Sequence, residues 1–181
     1  MVPLGLSNAA TVRAGRAFGR GDAKALRAGA KAAFLLGVGW AAVAAVLFML
    51  LPEVLVSLYI APDEPLRAEI VALGRGLLLV AALFQLADAT QVNAIALLRG
   101  MQDTRVPMWI AAASYWAIGA SSAWALGIWL GFGAVGVWGG LVSGLTAAAV
   151  ALTARFWLRS ATVSPQTART AAPPPVAGRE R

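Results

Sequence analysis

The chain has 181 residues, of which 60% are hydrophobic and 13% charged, with a mean hydropathy of +0.74 and a net charge of +7. A soluble globular domain is usually about 45–50% apolar and about 25% charged, so the composition excludes a single water-soluble core and indicates the bilayer as solvent. The absence of Cys and His excludes disulfides, thiolate nucleophiles, histidine bases and the usual zinc ligands.

The first half of the chain contains one partial and two complete candidate membrane spans. Residues 1–18 have the pattern of the second half of a span that runs into a basic loop. Positive charges follow its apolar part, which is not the order of a signal peptide, and we expect a longer parent protein. Residues 32–51 carry no charge and residues 76–98 carry one, and each run reaches the roughly 20 residues that a transmembrane helix needs.

The second half contains an uncharged run, 106–154, that is too long for one span. At about 1.5 Å per residue it would extend roughly 74 Å, about twice a ~30 Å hydrocarbon core. The sequence Gly131-Phe132-Gly133 near its middle predicts a turn, which gives spans at 107–130 and 134–156.

These elements predict an all-α, polytopic helical membrane bundle with four complete transmembrane helices and the end of a fifth. We expect one transmembrane unit over residues 1–158 and a disordered cytoplasmic tail over 159–181, because the tail is too polar to pack.

Local signals predict where several helices begin and end. Gly21-Asp22 should end one helix and cap a short amphipathic stretch at 23–31. Gly100 is predicted to follow the end of the third long helix, and Pro107 to open the next one.

The distribution of basic residues predicts the orientation. Alternating spans place the loops at 19–31 and 99–105 and the tail on one side, and that side holds 13 of the 15 Lys and Arg residues. The positive-inside rule makes it cytoplasmic. The net positive charge is thereby explained by orientation, and nucleic acid is not an expected partner.

Asp88 is the only ionisable residue well inside any predicted span. A carboxylate at the membrane centre costs about 2.5–3.5 kcal/mol, so it should be protonated, bind a cation, or pair with a group outside this chain. Gln85 and Gln91 lie three residues to either side and share its helix face. We predict a cation-coupling site at these three residues, with sodium at Asp88 as one possibility. The alternative is an ordinary interhelical hydrogen bond. An enzyme is not expected, because one isolated acid makes a poor active site.

Small residues recur along the last predicted helix. Gly136, Gly140 and Gly144 lie four residues apart, a spacing that permits close helix packing. We interpret them as architectural.

Aromatic residues fall into two groups. Those near the predicted span ends suit interfacial anchors: Trp109, Trp129, Trp138 and Trp157. Tyr115 and Trp116 lie deeper and could bind flat cationic compounds by cation–π contact, although ordinary packing or lipid exposure explains them equally well.

The sequence resembles the C-terminal lobe of the MATE (multidrug and toxic compound extrusion) transporters, in the NorM-like branch. The most specific match is 85–105, which contains QLADATQV and QDTR. The start of the chain, 1–22, and the pair Tyr115-Trp116 are also similar. The resemblance covers about residues 1–158 and implies helices eight to twelve of a twelve-helix transporter that exports cationic or amphipathic drugs in exchange for sodium or protons, with no cofactor besides the coupling ion.

The resemblance also implies a role for Asp88. It matches the acidic residue on helix ten of the C-lobe cation site, whereas the acid on helix seven and the whole N-terminal lobe are absent from this sequence. Two other functions stay open. One is a non-transporting fragment or assembly module, and the other is a related flippase that exports lipid-linked or polysaccharide substrates.

Overall fold

The computed structural model describes residues 2–61 and 64–164, with side-chain environments from residue 5 onward. Within those residues every regular element is a helix, which confirms the predicted all-α class. The α-helices are α1 (Val2–Gly19), α2 (Ala23–Leu50), α3 (Pro52–Ser57), α4 (Arg67–Gly100), α5 (Arg105–Ala113), α6 (Ser121–Trp124) and α7 (Gly133–Ala161). Two π-helical segments, Ser114–Ala120 and Ala125–Trp129, lie before and after α6.

The turn between α1 and α2 follows the predicted capping pattern. Gly21 has a φ of +67°, a conformation that glycine adopts without steric cost. The Ala25 amide donates to Asp22 Oδ1 at 2.8 Å, so Asp22 caps α2 as predicted. The separation of an amphipathic stretch at 23–31 from the span that follows was wrong, because α2 continues unbroken to Leu50. The residues across the junction, 30–33, contain no Gly or Pro, and three of the four are alanine, the strongest helix former.

In the part of the chain that the structure describes, three helices, α2, α4 and α7, are long and apolar enough to cross a membrane. The fourth predicted span, 107–130, corresponds to a continuous helical path from Arg105 to Trp129, the 105–129 helix, in which α5, α6 and the two π segments alternate. At about 1.5 Å per residue this path measures roughly 37 Å, comparable with a ~30 Å hydrocarbon core. No residue pattern in this run predicted its two π-helical segments.

A turn at residues 130–132 separates the last two helices, as predicted. Gly131 and Gly133 have φ angles of +74° and +58°, and the Phe132 amide donates to the Leu126 carbonyl at 3.1 Å. The long uncharged run therefore folds back on itself at the expected place.

The helix α4 lies at the centre of the bundle and packs against α1, α2 and α7. The largest fully buried side chains on these helices are few: Leu26, Leu97, Leu98, Leu152 and Phe156. Much of the remaining core is alanine, whereas large apolar side chains of α2 such as Leu35, Trp40 and Val43 are exposed. A bundle with small residues inside and large apolar residues outside is suited to lipid.

Several arginines form polar contacts at one end of the bundle. Arg27 Nε donates to Ser160 Oγ at 3.3 Å, and Arg155 Nε donates to Asp103 Oδ2 at 2.8 Å. These contacts bring together the start of α2, the α4–α5 loop and the end of α7, which we call the basic end.

Three local predictions at the basic end were wrong. Gly100 is the last residue of α4, not the residue after it, and the positive φ falls at Gln102, at 59°. Pro107 is the third residue of α5, which begins at Arg105. The tail was expected from 159, but α7 continues to Ala161.

The extension of α7 has a polar cause. Ser160 is fully buried, donates to the Trp157 carbonyl at 2.9 Å and accepts from Arg27, so the helix end packs despite its polarity. The rest of the expected tail, 165–181, lies outside the described residues.

Candidate functional site

Asp88 lies in the last half of α4, twelve residues before its end at Gly100. Its side chain is half-buried. Within residues 2–61 and 64–164 it forms no hydrogen bond and no ion pair. The structure thus shows no fixed partner for this carboxylate inside the described part of the chain.

The neighbours of Asp88 on α4 define which way its face points. At 100° per residue, Asn93 lies about 140° from Asp88, and Gln91 lies about 60° away on the other side. Asn93 occupies the space beside Gly37 of α2, where an added Cβ would lie 3.1 Å from Asn93 Cγ. It also donates to the Ala89 carbonyl at 2.9 Å. Asn93 therefore forms a helix–helix contact with α2, and Asp88 faces away from α2.

Gln91 connects α4 to the 105–129 helix. Its side chain is buried and its Nε2 donates to the Tyr115 hydroxyl. Tyr115 is half-exposed and lies in the first turn of the π-helical segment Ser114–Ala120. The structure therefore joins two residues that the sequence predicted separately, one for cation coupling and one for substrate.

The other two predicted contributors are placed differently. Gln85 is half-buried on the opposite flank of Asp88 and forms no hydrogen bond with any described residue. Trp116 is 77% exposed. Asp88 and Gln91 thus share a face of α4 and Gln91 is hydrogen-bonded to Tyr115, while Trp116 takes no part in this contact.

The π-helical segment has a packing role that positions Tyr115. Gly119, in the same segment, meets Gly144 of α7 backbone to backbone, since an added Cβ on Gly144 would lie 2.5 Å from Gly119 Cα. Short π segments occur frequently at functional sites, and here one presents Tyr115 to α4 while its other side is fixed to α7.

Three of the α7 glycines, spaced four residues apart, face the 105–129 helix. Gly136 packs against the Leu126 carbonyl, Gly140 against Ser122 and Ala123, and Gly144 against Gly119. All three are buried, so this stripe forms a close helix contact and holds no polar group.

The α4–α5 loop contains a charge cluster that the sequence reasoning missed. The Asp103 side chain is only 5% exposed, accepts a hydrogen bond from Arg155 at 2.8 Å and forms an ion pair with Arg159 at 3.1 Å. The loop backbone is fixed as well, because the Asp103 amide donates to the Leu98 carbonyl at 2.9 Å. The available signal was the spacing of Arg155 and Arg159, four residues apart on one helix face.

No metal centre of the usual kind is visible. Among the described residues no group of three or more Asp, Glu, His or Cys side chains could hold a metal ion. Ligands for a cation at Asp88 would have to include amide, hydroxyl or backbone oxygens. Gln85 and Gln91 share its helix face, and Gln91 is hydrogen-bonded to the Tyr115 hydroxyl.

Long apolar helices, a lipid-suited surface and one unpaired acid within a span together define a multi-pass membrane protein. The MatE family model matches residues 1–125, and the chain belongs to the MatE family. It is 46% identical over 167 residues to the probable multidrug resistance protein NorM of Rhizobium meliloti, with 91% of this chain and 36% of that protein covered.

Other relatives give the same picture. The probable multidrug resistance protein NorM of Agrobacterium fabrum is 45% identical over 158 residues, covering 87% of this chain and 34% of the relative. That of Pseudomonas putida is 44% identical over 160 residues, covering 86% and 34%. The chain spans about a third of the length of the curated relatives it matches.

Proposed function

We propose that the chain acts as part of a MatE-family exporter that moves cationic or amphipathic compounds out of the cell in exchange for sodium or protons. The names of the relatives, multidrug resistance protein NorM, support efflux of more than one compound. The observation that carries the proposal is Asp88, which is half-buried inside a span without a partner among the described residues.

The proposed mechanism depends on the cost of a lone carboxylate in the membrane. An unneutralised charge there costs about 2.5–3.5 kcal/mol, so a proton or sodium ion is favoured at Asp88 whenever no other cation is present. A cationic drug entering from the cytoplasm would compete for the same carboxylate. Binding or release of a cation at Asp88 would alter the Gln91–Tyr115 contact, and through it the 105–129 helix, because Gln91 lies on the same α4 face as Asp88.

The test is ion-driven efflux by the complete transporter that carries this chain, reconstituted in liposomes, with Asp88→Asn as the variant. We expect at least a tenfold loss of gradient-driven transport with the protein still folded. Sodium and proton gradients are imposed separately to identify the coupling ion. Asp103→Asn is the matched control, because it removes an acid that lies outside the spans, and it should keep the ion dependence. Unchanged gradient-driven efflux by Asp88→Asn would refute the proposal.

We further propose that the protein lies in the bacterial inner membrane with the basic end in the cytoplasm. The chain has no cysteine, so a cysteine introduced into it is the only thiol among these 181 residues. Ala61→Cys and Ala161→Cys both substitute exposed residues at opposite ends of the bundle. In intact cells a membrane-impermeant thiol reagent should label Ala61→Cys and leave Ala161→Cys unlabelled, and the reverse pattern would invert the orientation.

A further inference from the structure

A groove separates α2 and α7 on the side of α4 that faces away from Asp88. It has a volume of about 600 Å³. Its walls include Phe34, Val38 and Ala42 of α2 and Trp157 of α7, and Thr90 of α4 forms its floor. Thr90 lies about 160° from Asp88 around the helix axis, so the groove is separate from the proposed coupling site.

The length of the groove along α2 corresponds to the thickness of one membrane leaflet. Its α2 wall extends from Lys31 to Ala42, and eleven residues at about 1.5 Å each measure roughly 16 Å. This is about half of a ~30 Å hydrocarbon core. The groove therefore begins at the basic end and closes near the middle of the membrane.

The mouth of the groove is positively charged. Lys31 lines it, and Arg27 lies one helical turn below. In the part of the chain that the structure describes, neither forms an ion pair, whereas Asp103 already pairs with Arg155 and Arg159. Arg27 Nε contacts only the neutral Ser160 hydroxyl, so its guanidinium charge also stays uncompensated there.

We propose that this groove binds an anionic phospholipid of the cytoplasmic leaflet. The phosphate would bind Lys31 and Arg27, and one acyl chain would lie along Phe34, Val38 and Ala42. Basic pockets between transmembrane helices on the cytoplasmic side suit anionic headgroups, and Trp157 suits the interface between headgroup and hydrocarbon. Other ligands fit only part of the groove. An apolar protein segment would leave the two cations without an anionic partner, and a soluble anion would leave the apolar wall uncovered.

The first test measures lipid adducts on the 181-residue chain in detergent by native mass spectrometry. The chain is titrated with phosphatidylglycerol and separately with phosphatidylcholine. Lys31→Gln should weaken phosphatidylglycerol binding about fivefold, the effect expected for one basic residue at a membrane surface. Lys24→Gln is the control, because Lys24 is an exposed residue of the same helix outside the groove, and it should change binding less than twofold. Equal affinity for the two lipids, or an equal effect of the control, would overturn the proposal.

The second test blocks the groove without removing charge. Gly39 lines the groove and an added Cβ there meets nothing within 4 Å, so Gly39→Leu should fold normally and fill the space of the acyl chain. Gly29→Leu is the matched control, since Gly29 also has open space on α2 but does not line the groove. Phosphatidylglycerol adducts should disappear in Gly39→Leu and persist in Gly29→Leu. Lipid adducts that survive Gly39→Leu would refute lipid binding in the groove. If Gly39→Leu instead abolished a dimer and left the lipid adducts unchanged, the groove would be the contact with a second copy of the chain.

Discussion

The contact between α7 and the 105–129 helix allows a sharp prediction for Gly144→Ala. The methyl group would lie 2.5 Å from Gly119 Cα, 2.7 Å from Gly119 N and 2.8 Å from the Ser114 carbonyl oxygen. All three atoms belong to the backbone and cannot rotate away. Ordinary van der Waals contact begins at 3.4 Å, so the two helices must separate by about 0.9 Å at this point, the difference between 3.4 and 2.5 Å.

We expect Gly144→Ala to destabilise the chain by about 1–3 kcal/mol, the usual cost of overpacking a close contact. For a chain of this size that corresponds to a fall in the melting temperature of roughly 2–12 °C. The measurement is thermal unfolding in detergent micelles, followed by circular dichroism.

Gly139→Ala is the matched control. Gly139 lies in the same helix, and an added Cβ there meets nothing within 4 Å. Both substitutions gain the same intrinsic helix propensity, about 1 kcal/mol, so the difference between them isolates the packing of α7 on the 105–129 helix. Equal melting temperatures for Gly144→Ala and Gly139→Ala would refute the close contact.

Two further substitutions probe polar contacts by the same assay. Asp103→Asn removes one nearly buried partner of Arg155 and Arg159 and should destabilise by about 2 kcal/mol, below the ~3–5 kcal/mol of a fully buried pair because both arginines are partly hydrated. The loss should be much smaller in an Arg155→Gln, Arg159→Gln background, and an equal loss there would show that the ion pairs are not its cause. Thr153→Val should stabilise by about 1 kcal/mol, because Thr153 Oγ1 is buried and has no hydrogen-bond partner among the described residues; a fall in melting temperature would mean that the hydroxyl has a partner after all.

The features that the sequence predicted correctly are local ones. The number and order of the long helices depend on runs of apolar residues, and the turn at Gly131 and the cap at Asp22 depend on a few adjacent residues. Such patterns are readable without knowing which helices touch. The errors at the ends of helices have the same origin, because helix ends depend on tertiary contacts. The backbone of Gly100 is not in the left-handed region. Gly100 packs against α1, where an added Cβ would lie 2.6 Å from the Thr11 carbonyl oxygen.

The candidate site was predictable only in part. Asp88 stands out in the sequence because it is charged within an apolar run, and no tertiary information is needed to find it. The Gln91–Tyr115 contact joins residues 24 positions apart, and the Asp103–Arg155 contact joins residues 52 apart. Neither follows from periodicity, since each requires the packing arrangement of α4 with the 105–129 helix and α7.

Asp88 and Asp103 differ in their surroundings, and this difference predicts a structural role for Asp103 and a cation-binding role for Asp88. Asp88 lies about 18 Å of helix from Gly100, and Asp103 follows in the loop just beyond. Asp103 has two guanidinium partners, so neutralising it would leave two cations without their carboxylate and destabilise the loop. Asp88 has no such partner among the described residues, so it can gain or lose a cation without breaking an existing ion pair. Removing the charge at Asp88 should therefore affect transport far more than stability, and removing it at Asp103 should do the opposite.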